Sequence, residues 1–152
     1  LVLILKLYNF KKRIKMNKTI SDFMDIFLNN PSKENEINLI AELKKTKFIA
    51  PVTINQTLAK PDGSAVYEEE GSNIRFITLV DDDTQKNFFP AFSNKEEMRK
   101  WRKDDEQEVI DLYLKDYITV IENSKNNYEG VVIDAFSYNF KIAYETLRKI
   151  YD

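Results

Sequence analysis

Residues 88–101 constrain the fold of this chain more than any other stretch, because an apolar run passes into a capped helix with no linker between them. Phe88-Phe89-Pro90-Ala91-Phe92 reads as a strand. Ser93 with Glu96 three residues later reads as a capping box, the serine oxygen accepting an N–H of the first turn and the glutamate returning the bond. The helix is predicted to end near Arg102 and to turn Met98 and Trp101 inward. A chain that sets a strand and a helix in immediate succession is layering both kinds of element.

The remaining segments fill in that pattern. Ile20, Phe23, Met24, Phe27 and Leu28 recur at helical spacing and predict a helix over 20–29 with Thr19 as its cap. A second helix starts near Ser32, takes Glu34 and Glu36 in its first turn and ends with Lys44 and Lys45, which suits the helix dipole. Ile37, Ile40, Ala41 and Leu43 form its expected apolar face. From Phe48 the period becomes two, with Phe48, Ala50, Val52 and Ile54 on one face. Pro51 has no N–H to give a ladder, so that strand is expected at an edge or with a bulge.

Residues 56–72 contain Pro61-Asp62-Gly63-Ser64 and Glu68-Glu69-Glu70, and read as a hairpin or long loop. Ile74 to Val80 reads as a well-buried strand, joined by the polar turn Asp81–Lys86 to an antiparallel partner at Phe88–Phe92. Val109–Leu114 is a further strand, and Tyr117, Ile118, Val120 and Ile121 lie at helical spacing. Gly130 opens the buried strand Val131-Val132-Ile133, with Phe140–Ala143 expected beside it. A last helix from Tyr144 places Leu147, Ile150 and Tyr151 on one face. Helices and strands alternate without a steady βαβ rhythm. The expected class is α+β, a single domain with a mixed or mainly antiparallel sheet of about five strands flanked by helices.

Composition agrees with one core. The chain has 152 residues, 43% of them hydrophobic, with three glycines and four prolines, which suits one ordered domain rather than a linker-rich chain. Cysteine and histidine are both absent. That removes disulfides, thiolate nucleophiles, imidazole bases and the commonest transition-metal ligands together. The expectation is therefore of no catalytic residue, no metal and no cofactor, in a protein that is not an enzyme.

Residues 1–15 differ from the rest: Leu1-Val2-Leu3-Ile4-Leu5 precedes Lys6, Lys11, Lys12, Arg13 and Lys15, with no acid among them. A secretory signal would place its charges before the apolar run, and a spanning helix needs about 20 apolar residues. The segment reads as upstream sequence translated from a misplaced start or as a disordered extension, leaving 16–152 as the domain. A short basic helix touching a membrane is the sharper alternative. Without these five basic residues the chain has 18 basic against 25 acidic residues. Such a balance, with no basic stripe, leads us to expect no nucleic-acid partner, and no membrane partner unless residues 1–15 are genuine.

Most motifs have ordinary readings. Asp81-Asp82-Asp83 lacks the spacing, glycine and terminal glutamate of an EF-hand loop and reads as a solvated turn, as do Glu68–Glu70 and Asp104–Glu106. The three glycines, Gly63, Gly71 and Gly130, form no phosphate-binding loop. Trp101 reads as core with Met98. Asp134, directly after a buried strand, is open to two readings: a carboxyl that caps the following turn, or one that faces a ligand crevice at a strand end. Phe136 and Tyr138 in that turn are the apolar residues expected to be exposed.

Three blocks, Lys47-Phe48-Ile49-Ala50-Pro51-Val52, Phe89-Pro90-Ala91-Phe92-Ser93 with Glu96–Trp101, and Gly130-Val131-Val132-Ile133-Asp134-Ala135-Phe136, together resemble the N-terminal domain of the SseB family, named for enhanced serine sensitivity. The resemblance covers about residues 33–145. It implies a bacterial, cytoplasmic α+β module with no known cofactor or catalytic residue, and the family name reflects a phenotype. Where the family usually has Asn-Pro after the last of these strands, this chain has Asp134-Ala135. The functional expectation is a non-enzymatic module that binds a protein partner, using a sheet edge near Pro51 or the turn holding Asp134, Phe136 and Tyr138. A small-molecule sensor or carboxylate enzyme with a pocket near Asp134 is the alternative, and an immunity-like toxin-neutralising protein a further one.

Overall fold

The computed structural model describes residues 18–54, 58–59, 65–66, 74–125 and 127–152. Residues 1–15, expected to be an extension, lie outside the described residues, as does most of the 56–72 loop. The chain divides into two compact units, Leu1–Thr46 and Lys47–Asp152.

The first unit holds a pair of helices that pack on each other, α1 (Ile20–Asn29) and α2 (Lys33–Lys45). Thr19 caps α1 as its sequence predicts: its Oγ accepts the Asp22 N–H at 3.4 Å, and the Asp22 carboxylate accepts the Thr19 N–H at 2.9 Å. Ile20 and Met24 are buried while Leu28 is exposed. Ser32 caps α2, accepting the Asn35 N–H at 3.1 Å. The buried stripe of α2 is Leu39 and Leu43, one helical turn apart, rather than a face through Ile37 and Ala41, which are exposed. Ile37 precedes Leu39 by two residues, about 200° around the helix, and so falls on the opposite side.

The second unit is built on two ladders. In the first, β1 (Phe48–Ile54) lies between β4 (Ile74–Phe76) and β7 (Val109–Leu112), both antiparallel to it. In the second, the order is β5 (Leu79–Val80), β6 (Asn87–Ala91), β8 (Gly130–Ile133), β9 (Phe140–Ala143). There β5–β6 and β8–β9 are antiparallel and β6–β8 is parallel. Between β1 and β4 the two-residue strands β2 (Leu58–Ala59) and β3 (Ala65–Val66) pair with each other. Helix α3 (Lys95–Trp101) follows β6, α4 (Leu114–Asn123) follows β7, and α5 (Tyr144–Ile150) follows β9. The class is α+β, with mixed and antiparallel sheets, as the sequence leads one to expect.

Burial follows position in the ladders. β6 and β8 lie inside the four-stranded ladder, and every residue from Phe88 to Ala91 and from Gly130 to Ile133 is buried. A parallel pair covered on both faces is apolar at consecutive positions, and these two runs are. The expected single strand from Ile74 to Val80 is instead two short strands separated by Ile77 and Thr78, half-buried to exposed throughout. Each is the outermost strand of a different ladder, so neither is covered on both sides.

Pro51 also departs from expectation, since β1 has partners on both sides. Toward β7, the Val52 N–H donates to the Glu108 carbonyl at 2.9 Å. On the other side Ile49 and Phe92 exchange two bonds, of 2.8 and 3.0 Å, and the Pro51 carbonyl accepts the Ile77 N–H at 3.1 Å. The missing N–H falls where β1 changes neighbour from Phe92 to Ile77. A central strand tolerates proline there because no uninterrupted ladder needs the donor.

The helices of this unit fix the parallel pair. Tyr117 of α4 is fully buried, and its hydroxyl donates to the Pro90 carbonyl at 3.0 Å, with burial holding its pKa above the usual phenol range. α5 packs on α4, β8 and β9, and Leu147 is buried. Gly130 is required by close approach: a Cβ there would stand 2.0 Å from the Ile142 carbonyl oxygen and 2.9 Å from the Ala143 Cα. No helix among the described residues is long and apolar enough to cross a membrane.

Candidate functional site

Because β6 and β8 are parallel, their carboxyl ends emerge side by side, and ligands of open sheets gather in the crevice outside such ends. Here the protein fills that place with its own groups. β6 continues through Phe92 and Ser93 into α3, and β8 into the turn Asp134–Asn139. The Ser93 N–H donates to Asp134 Oδ1 at 2.8 Å and the Ser93 hydroxyl to Oδ2 at 2.7 Å. Asp134 is 1% exposed, the one charged residue in the buried core of the described chain. Burial pushes its pKa up, and the two bonds from Ser93 oppose that without reversing it.

Each sequence reading of this pair needs correcting. Ser93 does not cap α3; Asn94 does, its side-chain oxygen accepting the Glu97 N–H at 2.9 Å. The Asp134 carboxylate does not cap its own turn either. The backbone carbonyl of Asp134 does that, accepting the N–H groups of Ser137 at 3.0 Å and Asn139 at 2.9 Å. Asp134 has φ 47° and Asn139 φ 49°, the left-handed region that Asn and Asp tolerate best among residues with a Cβ. The turn that Asp134-Ala135 leaves unsecured by proline is thus held by hydrogen bonds.

A second link joins the turn to α3. The exposed Ser137 hydroxyl donates to Glu97 Oε2 at 2.6 Å, and Lys100 Nζ lies 2.7 Å from Glu97 Oε1. Partial burial would raise the Glu97 pKa, but the bonds from Lys100 and Ser137 win and hold it below the usual carboxylate range. Two side-chain contacts therefore fix the turn, in which Ala135 is half-buried and Phe136 exposed.

Beside them is an open cleft of about 480 Å³. Leu79, Val80, Phe88, Val132, Ala135 and Phe136 give it apolar lining, and Asp81–Asp83, Asn139 and Lys141 supply the polar part. Phe136 is 49% exposed and Val80 53%, so both leave half their surface in water. Asp81 accepts an ion pair from Lys141 and the Asp83 N–H at 2.9 Å, and these bonds lower its pKa. The expected solvated turn is present: Asp82 and Asp83 are exposed, and Gln85 turns the chain with φ 59°. Among the described residues no group of three His, Cys, Asp or Glu is arranged to hold a metal ion.

Of the three residues singled out from the sequence, Phe136 alone lines the cleft. Asp134 points away from it toward Ser93, and Tyr138 is half-buried. Sequence reasoning missed Val80 and Lys141. The signal for Val80 was an apolar residue directly before a polar turn on an edge strand; nothing local marked Lys141, which meets Asp81 across sixty residues.

No curated protein and no solved structure matches the chain significantly. The family profile described as SseB protein N-terminal domain matches residues 22–149, most of the sequence. The three blocks that carry the likeness are β1, the β6–α3 junction and β8 with its turn, brought together by the Ile49–Phe92 bridge, the β6–β8 ladder and the Ser93–Asp134 bonds. By that match the chain belongs to the SseB family, through its N-terminal domain.

Proposed function

We propose that this domain is a non-enzymatic protein-interaction module of the bacterial cytoplasm, and that it binds its partner through the cleft beside the Asp134–Asn139 turn. The observation that carries the reading is the pair of half-exposed apolar side chains, Val80 and Phe136, on a cleft whose walls are fixed by hydrogen bonds. Exposed apolar residues gathered around a concavity are a binding surface more often than isolated ones are, and a buried aromatic anchor is a common source of interface affinity. The lack of histidine and cysteine, which narrows the available chemistry, points the same way.

The size of the cleft favours one alternative, a small apolar ligand, since ligand pockets span roughly 300 to 1,000 Å³. A photo-crosslinking residue at position 136, used in the native host with the products read by mass spectrometry, separates the two. The protein-binding reading expects a discrete polypeptide adduct that disappears in a Val80→Asp background. Native mass spectrometry showing a small molecule retained instead, with no polypeptide adduct, would replace it with the ligand reading.

A further inference from the structure

The cleft carries charge as well as apolar surface, and the balance of that charge selects a class of partner. Resting on the protein-binding reading above, we infer that the bound segment is cationic: a stretch of polypeptide that seats an aliphatic or aromatic side chain against Val80 and Phe136 and directs Lys or Arg toward Asp82 and Asp83. Three carboxylates and one ammonium group line the cleft. Asp81 and Lys141 cancel each other, and Lys141 also lies 5.8 Å from the centroid of the Phe88 ring, which keeps its charge against the protein. Asp82 and Asp83 are left over. Among the described residues neither has an ion-pair partner, and both are exposed and line the same cleft as Phe136.

The turn that carries them is fixed rather than loose. Asp81 and Lys86 close it with an N–H to carbonyl bond of 2.8 Å, and the Gln85 N–H donates to the Asp81 carbonyl at 2.7 Å. Two negative charges are thus held in the lining of a cleft that also carries apolar side chains. An acidic segment entering the cleft would meet them directly, whereas a basic one is attracted before contact. The apolar anchor supplies affinity, and the two carboxylates supply selectivity and association rate.

Selection of a random displayed peptide library on the full chain, with counter-selection on Phe136→Asp, tests the inference. Enriched peptides should combine one large apolar side chain with neighbouring Lys or Arg. The paired change Asp82→Asn and Asp83→Asn should weaken the best synthetic peptide by about 3- to 10-fold, with the loss shrinking at high salt. Peptides that depend on Phe136 but show no basic bias, or that bind the doubly neutralised variant equally well, would overturn the cationic assignment and leave the protein-binding reading standing. Absence of any peptide dependent on Phe136 would overturn both. Each variant changes exposed side chains only, and an unchanged melting temperature confirms that folding is intact.

Discussion

Asp134 joins three costs in one residue: it is charged, nearly inaccessible to water and held at positive φ. The two bonds from Ser93 offset part of the burial, and the shortness of the Asp side chain makes the backbone conformation bearable. Asp134→Asn should therefore be close to neutral at pH 7, because the amide oxygen can accept the Ser93 N–H, the hydroxyl can rotate to accept from the amide, and asparagine suits the left-handed region. Asp134→Ala should cost on the order of 3 kcal/mol, from the unpaired Ser93 N–H and the strained φ together. Urea midpoints for the two variants check this, and an alanine variant as stable as the asparagine one would refute it. The charge also has a pH signature. Its pKa is raised on folding, so between the ordinary value of 3.8 and the folded value the native state holds more protons than the unfolded one, and this group's contribution to stability grows as pH falls. Wild type should gain on Asp134→Asn between pH 7 and pH 4. The opposite trend would mean that the Ser93 bonds outweigh burial.

At the scale of elements, the period of apolar residues marked the helices and strands well, and polar side chains at the ends of elements were legible only where their partner was local. Thr19 and Ser32 bond three residues along the chain; the sequence marks the first as a cap and the second as a helix start. Ser93 looked like another such cap, but its partner is 41 residues away, in the turn that follows a strand whose parallel alignment no local pattern reveals. Asn94, one position later, then takes the cap. Asn94→Ala should cost about 0.5 to 2 kcal/mol through α3, while Ser93→Ala should lose its effect in an Asp134→Ala background if the two act as a pair. Additive losses in that cycle would dissolve the pair. Pro51 was misread for a related reason: strand order decides whether a missing donor matters, and order is a tertiary property. Gly130 gave no local reason for its identity, yet β9 passes so close that Gly130→Ala must push the β8–β9 ladder apart. A loss of at least ~2 kcal/mol is expected, and a stable alanine variant would show that the backbones can separate cheaply.

In the unit from Lys47 to Asp152, cooperativity depends on how two ladders of three and four strands are joined. The junction is narrow: Ile49 and Phe92 exchange two backbone bonds, Phe92 is fully buried, and its ring stacks on Trp101 with centroids 6.1 Å apart and planes 17° from parallel. The family-bearing blocks meet at this point, which suggests that the likeness was legible because it marks the joint rather than either sheet alone. If the joint couples the ladders, amides deep in each should open together in hydrogen exchange. The Val52 N–H, bonded to Glu108 in one ladder, and the Asp134 N–H, bonded to Ala91 at 3.0 Å in the other, should report the same opening free energy. Phe92→Ala removes the ring without removing the backbone bonds, should cost about 3 to 5 kcal/mol, and should shift the emission of Trp101, the single tryptophan of the chain. In that variant the two amides are expected to exchange at different free energies, since the packing that ties one ladder to the other is gone while each ladder keeps its own bonds. Equal protection in the variant would place the coupling elsewhere, with the helices α4 and α5 as the remaining elements that reach across the strands.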